Sequence, residues 1–212
     1  MKINFLHNKF SSYKFGSTIL YKAKIKQHQH DCDFASPCDV FITRLDKTDL
    51  YRLKRDEADW EDTRFGKTII EALENYSAEE DNYNGVKTFF YAIETPNPRG
   101  ERQIRAMAMA TNYIKENKIE LDWLQTNNDL CMPNVLSGAG SCLLFMILKL
   151  AQKNNADTFS VYSCDNALGF YKLFGLKRKL AEYNEFSLEK RLFARKAETI
   201  RKKYSIETTE NI

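Results

Sequence analysis

The chain has 212 residues with 43% hydrophobic side chains, and 32 Lys and Arg against 29 Asp and Glu leave a formal net charge of +3. That is enough chain and apolar content for one domain with a substantial core, which excludes a disordered polypeptide. The longest apolar run, Cys142 to Leu148, is far too short to span a bilayer, and the amino terminus lacks the continuous apolar stretch of a Sec signal.

Five cysteines without a disulfide-framework pattern fit free thiols in a reducing cytoplasm, so a cytoplasmic location is expected, with non-Sec secretion left open. The charge is unevenly spread. From Asp46 to Asp81 twelve acidic residues stand against six basic ones, whereas from Lys172 to Lys203 eleven basic residues stand against four acidic ones. The two ends of the chain therefore face different partners, or present two oppositely charged solvated faces.

Residues 1–37 read as an amino-terminal extension of uncertain structure, with a strand expected at Ser17 to Lys26. His28, His30, Cys32 and Cys38 fall here without a paired Cys-x-x-Cys, their spacing matches no standard zinc site, and no metal is expected. Asp39 to Leu45 is β-branched and aromatic, which predicts a strand. Asp46, Thr48 or Asp49 can cap a following helix that carries Leu50, Leu53 and Trp60, and a second helix after Gly66 carries Ile69, Ile70, Leu73 and Tyr76.

Val86 to Glu94 predicts another strand, with Pro96, Asn97, Pro98 and Gly100 turning the chain. Ile104 to Tyr113, with Met107 and Met109 on one face, and Ile119 to Thr126 complete an antiparallel meander. Strict alternation on the last strand puts Glu120 on one face with Asp122, Leu124 and Thr126.

A polar loop, Asn127 to Asn134, leads to Leu136-Ser137-Gly138-Ala139-Gly140-Ser141 and a strongly apolar helix running to about Asn154. Two glycines directly before a helix let backbone N–H groups approach a ligand at the end that attracts phosphates; a tight turn before a core helix is the plainer alternative. A strand at Thr158 to Ser163 follows, so strand, glycine loop, helix and strand form a parallel unit whose ligand crevice lies at the carboxyl ends of its strands.

This succession resembles the GNAT superfamily of acetyl-coenzyme A dependent N-acetyltransferases, from about Asp39 to about Lys190. Gly138-Ala139-Gly140 is similar to the glycines of that family's pyrophosphate loop. Asn166-Ala167, Phe170-Tyr171 and Gly175-Leu176 are similar to its second signature. Val135 stands where the family usually has Arg or Gln, and the loop before the glycines is longer than the common form.

The resemblance implies an α/β (α+β) fold, a mixed, mostly antiparallel sheet flanked by helices with a parallel strand pair at the cofactor cleft. It implies a catalytic domain over residues 38–190 followed by a basic helix and tail over 191–212. Acetyl-coenzyme A is the implied cosubstrate, held by Leu136, Ser137, Gly138, Ala139, Gly140, Ser141 and Asn166. The resemblance also implies that the fourth and fifth strands, Ile119 to Thr126 and Thr158 to Ser163, splay and that the backbone of Leu124, Gln125 and Thr126 then pairs with the cosubstrate's pantetheine arm.

Such chemistry needs a proton acceptor for the attacking amine, a donor for the oxyanion and help for the leaving thiolate. The resemblance implies Tyr171 for the thiolate and Glu120 as the base, with Asp122 or a water relay as alternatives. Two carboxylates on one strand face raise one another's pKa. Cys142 and Cys164 are expected to be packing residues, since no covalent intermediate is needed.

The acidic helices after the first strand favour a cationic amine acceptor, such as a lysine side chain, a polyamine or a basic small molecule. An inactive fold relative that binds an acidic protein or RNA through Lys190 to Lys203 is the contrasting expectation, against which Leu192, Phe193, Ala197 and Ile200 predict a helix docked by its apolar stripe.

Overall fold

The computed structural model describes residues 18–29, 35–55, 65–96, 101–126, 134–179 and 184–209. His30, Cys32, Trp60, the turn residues Asn97, Pro98 and Gly100, and all of the expected loop before Asn134 lie outside them.

The amino-terminal strand β1 (Thr18–Gln29) pairs antiparallel with β2 (Ala35–Leu45). Asp46 then stops the strand, because its carboxylate accepts from the Thr48 N–H at 2.8 Å while Asp49 reaches back to the Asp46 N–H at 2.9 Å. This reciprocal cap opens a short 3-10 turn and α1 (Leu50–Arg55). Arg52 pins α1 to the sheet by bonding Asp49 at 2.8 Å and Glu94 at 2.9 Å, both carboxylates being fully buried. The charges are tolerated there because each finds an opposite partner.

Helix α2 (Gly66–Asn75) buries Ile69, Ile70 and Leu73, as its periodicity requires, and Tyr76 is its C-cap. A third helix, α3 (Ala78–Asn84), escaped the sequence reading because it buries none of its residues and so has no apolar stripe. Its signals are local. Ser77 caps it, Glu79, Glu80 and Asp81 favour its positive end, and Gly85 at φ 69° closes it.

Strands β3 (Val86–Pro96), β4 (Arg102–Tyr113) and β5 (Lys118–Thr126) form the expected antiparallel meander. The long connection after β5 returns as a strand, β6 (Asn134–Ser137), paired with β1 from Lys26 to Gln29. That corrects the expectation of loop running straight into the glycines. Leu136 is buried in this pairing, which a four-residue segment does not advertise in sequence.

Helix α4 (Ala139–Lys153) lies against the sheet and leads to β7 (Thr158–Tyr162), which runs parallel to β5. Then follow α5 (Leu168–Phe174), β8 (Lys177–Arg178), β9 (Glu185–Glu189), α6 (Lys190–Lys203) and β10 (Glu207–Thr208). Among the described residues the sheet order is β10-β1-β2-β3-β4-β5-β7-β9-β8, with β6 beside β1.

One face of the sheet packs on α4, α5 and α6 through Ile93, Ala108, Ile119, Leu121, Phe159 and Val161. The other packs on α1 and α2 through Phe90, Ile104 and Met107, with Met109 and Trp123 at its margin. Phe193, Ala197 and Ile200 of α6 are buried, which explains why α4 is apolar on nearly every side. Among the described residues no helix is long and apolar enough to cross a membrane.

Candidate functional site

The parallel pairing of β5 with β7 ends at Leu121 opposite Val161. Beyond it β5 continues to Thr126 on β4 alone, while β7 continues on β9. The two strands therefore part at the carboxyl end of their pairing, and the glycine loop stands at the start of the helix between them.

Gly138 has φ 112°, a conformation closed to most side chains, and a Cβ there would meet the Tyr204 ring at 2.5 Å. Gly140 is different, since an added Cβ would make ordinary contacts of 3.5 Å with Phe170 and 3.6 Å with Leu124. Gly138 serves the backbone, and Gly140 leaves room between α4, β5 and α5. No side chain caps α4. Its first turn thus keeps the polarity that favours an anion.

Ala139 is buried beneath the loop, Ser137 is exposed opposite Lys26, and the Ser141 hydroxyl lies 3.5 Å from the Tyr204 phenol. Tyr204 was missed by sequence reasoning. It follows α6, and its carbonyl accepts from the Lys24 N–H at 2.7 Å, which holds its ring beside Gly138. Only the long-range docking of α6 on α4 brings it there, and no local pattern marks it.

The carboxylates depart from simple alternation. Met109 opposes Trp123 and Ala110 opposes Leu121, so Asp122 is the extra residue of a β-bulge. The expectation that Glu120 and Asp122 share a face with Leu124 is therefore corrected: Leu121 and Leu124 both pack on the α4 side, whereas Trp123 packs on the α2 side. Glu120 alternates with buried Ile119 and Leu121, and opposes Thr111.

Asp122 accepts from the Thr111 hydroxyl at 2.8 Å. Burial, assisted by the charge of Glu120, pushes its pKa up to about 7, although the Thr111 hydrogen bond and Lys118 oppose that rise. Glu120 itself is paired with Lys118 at 2.5 Å. Glu120 lies in the paired part of β5 and Asp122 at the first position beyond the last rung with β7, yet Thr111, which opposes Glu120, also bonds Asp122, so the two carboxylates still interact.

Tyr171 is 5% exposed and lies edge-on to Phe170, with centroids 5.1 Å apart, and 6.0 Å from Phe186. Burial raises its pKa, with a smaller push from Cys164, so the phenol keeps its proton. Cys164 is partly exposed and donates to Asn166 Oδ1 at 2.9 Å. Cys142 is fully buried and its thiol is pushed up to about 12, as befits a packing residue.

On the α2 side of the divergence lies a cleft of about 480 Å3 lined by Phe65, Thr68, Trp123, Tyr162, Ser163, Cys164, Asp165 and Asn184. Gln125 holds one wall in place, because its Oε1 accepts from the Phe65 N–H at 3.4 Å and its Nε2 donates to the Thr126 carbonyl at 2.8 Å. Glu120, Asp122 and Tyr171 do not line this cleft, but Trp123 follows Asp122 directly, and Cys164 connects the lining to Tyr171.

No family model matches the chain, and no curated protein matches it significantly. Solved structures do. A putative acetyltransferase of the GNAT family from Desulfovibrio desulfuricans is 12% identical, with 71% of this chain covering 98% of that one at a TM-score of 0.50. A GNAT-family acetyltransferase from Staphylococcus aureus Mu50 is 12% identical, with 71% and 99% covered at 0.47, and AtaTR bound with AcCoA is 14% identical, with 73% and 96% covered at 0.46. The chain has the GNAT superfamily fold, a mostly antiparallel sheet with one parallel pair at β5 and β7, flanked by helices.

Proposed function

We propose that the chain is an acetyl-coenzyme A dependent N-acetyltransferase acting on a primary amine. The observation that carries this is the parting of β5 from β7 beyond Leu121 and Val161, at the end where α4 presents its uncapped first turn. A gap between parallel strands beside a helix amino terminus suits a long ligand that bears phosphates at one end and reacts at the other.

In this arrangement the loop from Leu136 to Ser141 binds the pyrophosphate, with Gly138 turning the backbone and Gly140 leaving room for close approach. The backbone of Leu124, Gln125 and Thr126, unpaired toward β7, holds the pantetheine amides, and Asn166, which accepts from Cys164 just after β7, contributes to holding the cofactor. The amine nitrogen attacks the thioester carbon, and Asp122 takes its proton. Glu120 acts through Asp122, its charge adding to the burial that holds the Asp122 pKa up near the working pH. Tyr171, which keeps its proton, gives a hydrogen bond or that proton to the departing thiolate.

Acetyl-coenzyme A is expected to raise the melting temperature, because a ligand that binds only the native state stabilises it by mass action. Gly140→Asp adds a negative charge at the phosphate site, where the surrounding contacts leave room for a Cβ. Calorimetry should show acetyl-coenzyme A affinity about tenfold weaker, which corresponds to about 1.4 kcal/mol. A folded variant that keeps wild-type affinity would remove the loop from the site.

A further inference from the structure

The cleft on the α2 side has a composition that restricts the acceptor further than acidic helices do. Phe65 and Trp123 form an aromatic corner, with ring centroids 4.8 Å apart at 33°. Tyr162, on the neighbouring strand, is 51% exposed although it is large and aromatic. Asp165 lies at the other side of the lining and accepts from Asn184 Nδ2 at 3.4 Å. Among the described residues no Lys or Arg stands in the lining.

Asn184 donates its Nδ2 to Asp165 and so holds that carboxylate in the lining. Its own Oδ1 is buried, out of a ligand's reach. Aromatic faces and a carboxylate favour the same kind of ligand, a compact cation. A volume of about 480 Å3 accommodates a small organic molecule.

The nitrogen that reacts cannot be this cation. Attack on a thioester requires a lone pair, so the reacting amine must be neutral when the N–C bond forms, and a site built to hold a positive charge would oppose its deprotonation. We propose that the Phe65, Trp123, Tyr162, Asp165 and Asn184 cleft binds a second ammonium of the acceptor, which makes the substrate a small diamine or polyamine rather than a monoamine. The inference rests on the acetyltransferase function proposed above and specifies its acceptor.

The steps balance without another reactant. The free amine forms the N–C bond as the C–S bond breaks, Asp122 receives the amine proton, and Tyr171 or solvent protonates the thiolate. The second ammonium stays charged throughout, so a diamine gives a monocation with one amide.

The test uses the full chain and two probes of equal carbon count, putrescine and butylamine, titrated calorimetrically without acetyl-coenzyme A at a pH where both are protonated. Putrescine is expected to bind at least tenfold more tightly. Asp165→Asn, and independently Tyr162→Leu, should each remove most of that preference while the melting temperature stays near the wild-type value, and two variants guard against a local folding defect in either. Equal affinities for the two probes, or a preference that survives both substitutions, would overturn the proposal. Acetyl-coenzyme A titrated into the same protein separates the two claims. If it binds while the diamine preference is absent, the acceptor assignment alone fails; if the diamine binds but acetyl-coenzyme A does not, the cation site stands and the acetyltransferase function fails.

Discussion

Asp122→Asn is expected to slow acetyl transfer a hundredfold or more and, in the same protein, to raise stability at alkaline pH. The first effect follows from losing a general base, which contributes on the order of a hundred to ten thousand fold. The second follows from burial. The folded-state pKa of Asp122 lies near 7, above the ordinary carboxylate value, so ionising the folded protein costs more than ionising the unfolded chain.

The sign decides the pH window. Stability from this group is fully present below the unfolded pKa, declines as pH rises between the two values, and is lost above about 7. Asparagine never ionises and still offers an oxygen to the Thr111 hydroxyl. The variant should therefore match the wild type at low pH and exceed it by about 2–4 kcal/mol above pH 8, since each tenfold change in an acid dissociation constant corresponds to about 1.36 kcal/mol. Denaturant unfolding at pH 4 and pH 8 measures this directly.

A carboxylate kept for packing alone would show the stability gain without the loss of turnover. Glu120→Gln serves as the companion measurement. Removing its charge lowers the Asp122 pKa, so the acidic limb of the rate profile should move to lower pH. An unmoved limb would detach Glu120 from the reaction.

Tyr171→Phe is expected to reduce turnover by a factor of about ten to a hundred. The ring packs against Phe170 and Phe186, and phenylalanine preserves those contacts. Only the oxygen is lost, and with it a donor whose raised pKa keeps it protonated at any working pH. A tenfold fall corresponds to about 1.4 kcal/mol in the barrier, and the affinity for acetyl-coenzyme A should change little. Because product release can hide a slower chemical step, single-turnover rates are the proper comparison. Equal rates would leave positioning as the main catalytic device.

The strands and helices that obey a strong period were readable from sequence. Ile69, Ile70 and Leu73 declared α2, because their burial is what the period records, and the mostly apolar run from Ile104 to Ala110 declared β4, a strand covered on both faces. Helix α3 buries nothing and so left only its caps to be seen. Strand β6 depends on an edge offered by β1 more than a hundred residues earlier, and no local propensity encodes such a pairing.

The candidate site divided in the same way. Gly138, Gly140 and Tyr171 lie in short motifs and were visible. The bulge at Asp122 was not, since inserting one residue into an alternating strand changes no composition and merely shifts which face each later side chain occupies. Tyr204 and the cleft of Phe65, Trp123, Tyr162 and Asn184 join residues from distant segments, so only the folded chain brings them together.

The most direct test of the central claim is to mix the protein with acetyl-coenzyme A and putrescine and to measure free thiol and acetylated amine together. Acetyl transfer predicts that both appear in equal amounts, that neither forms without protein, and that Asp122→Asn slows both alike. Thiol release without acetylated amine, or no release from protein that binds acetyl-coenzyme A while a broad panel of amines is offered, would contradict it.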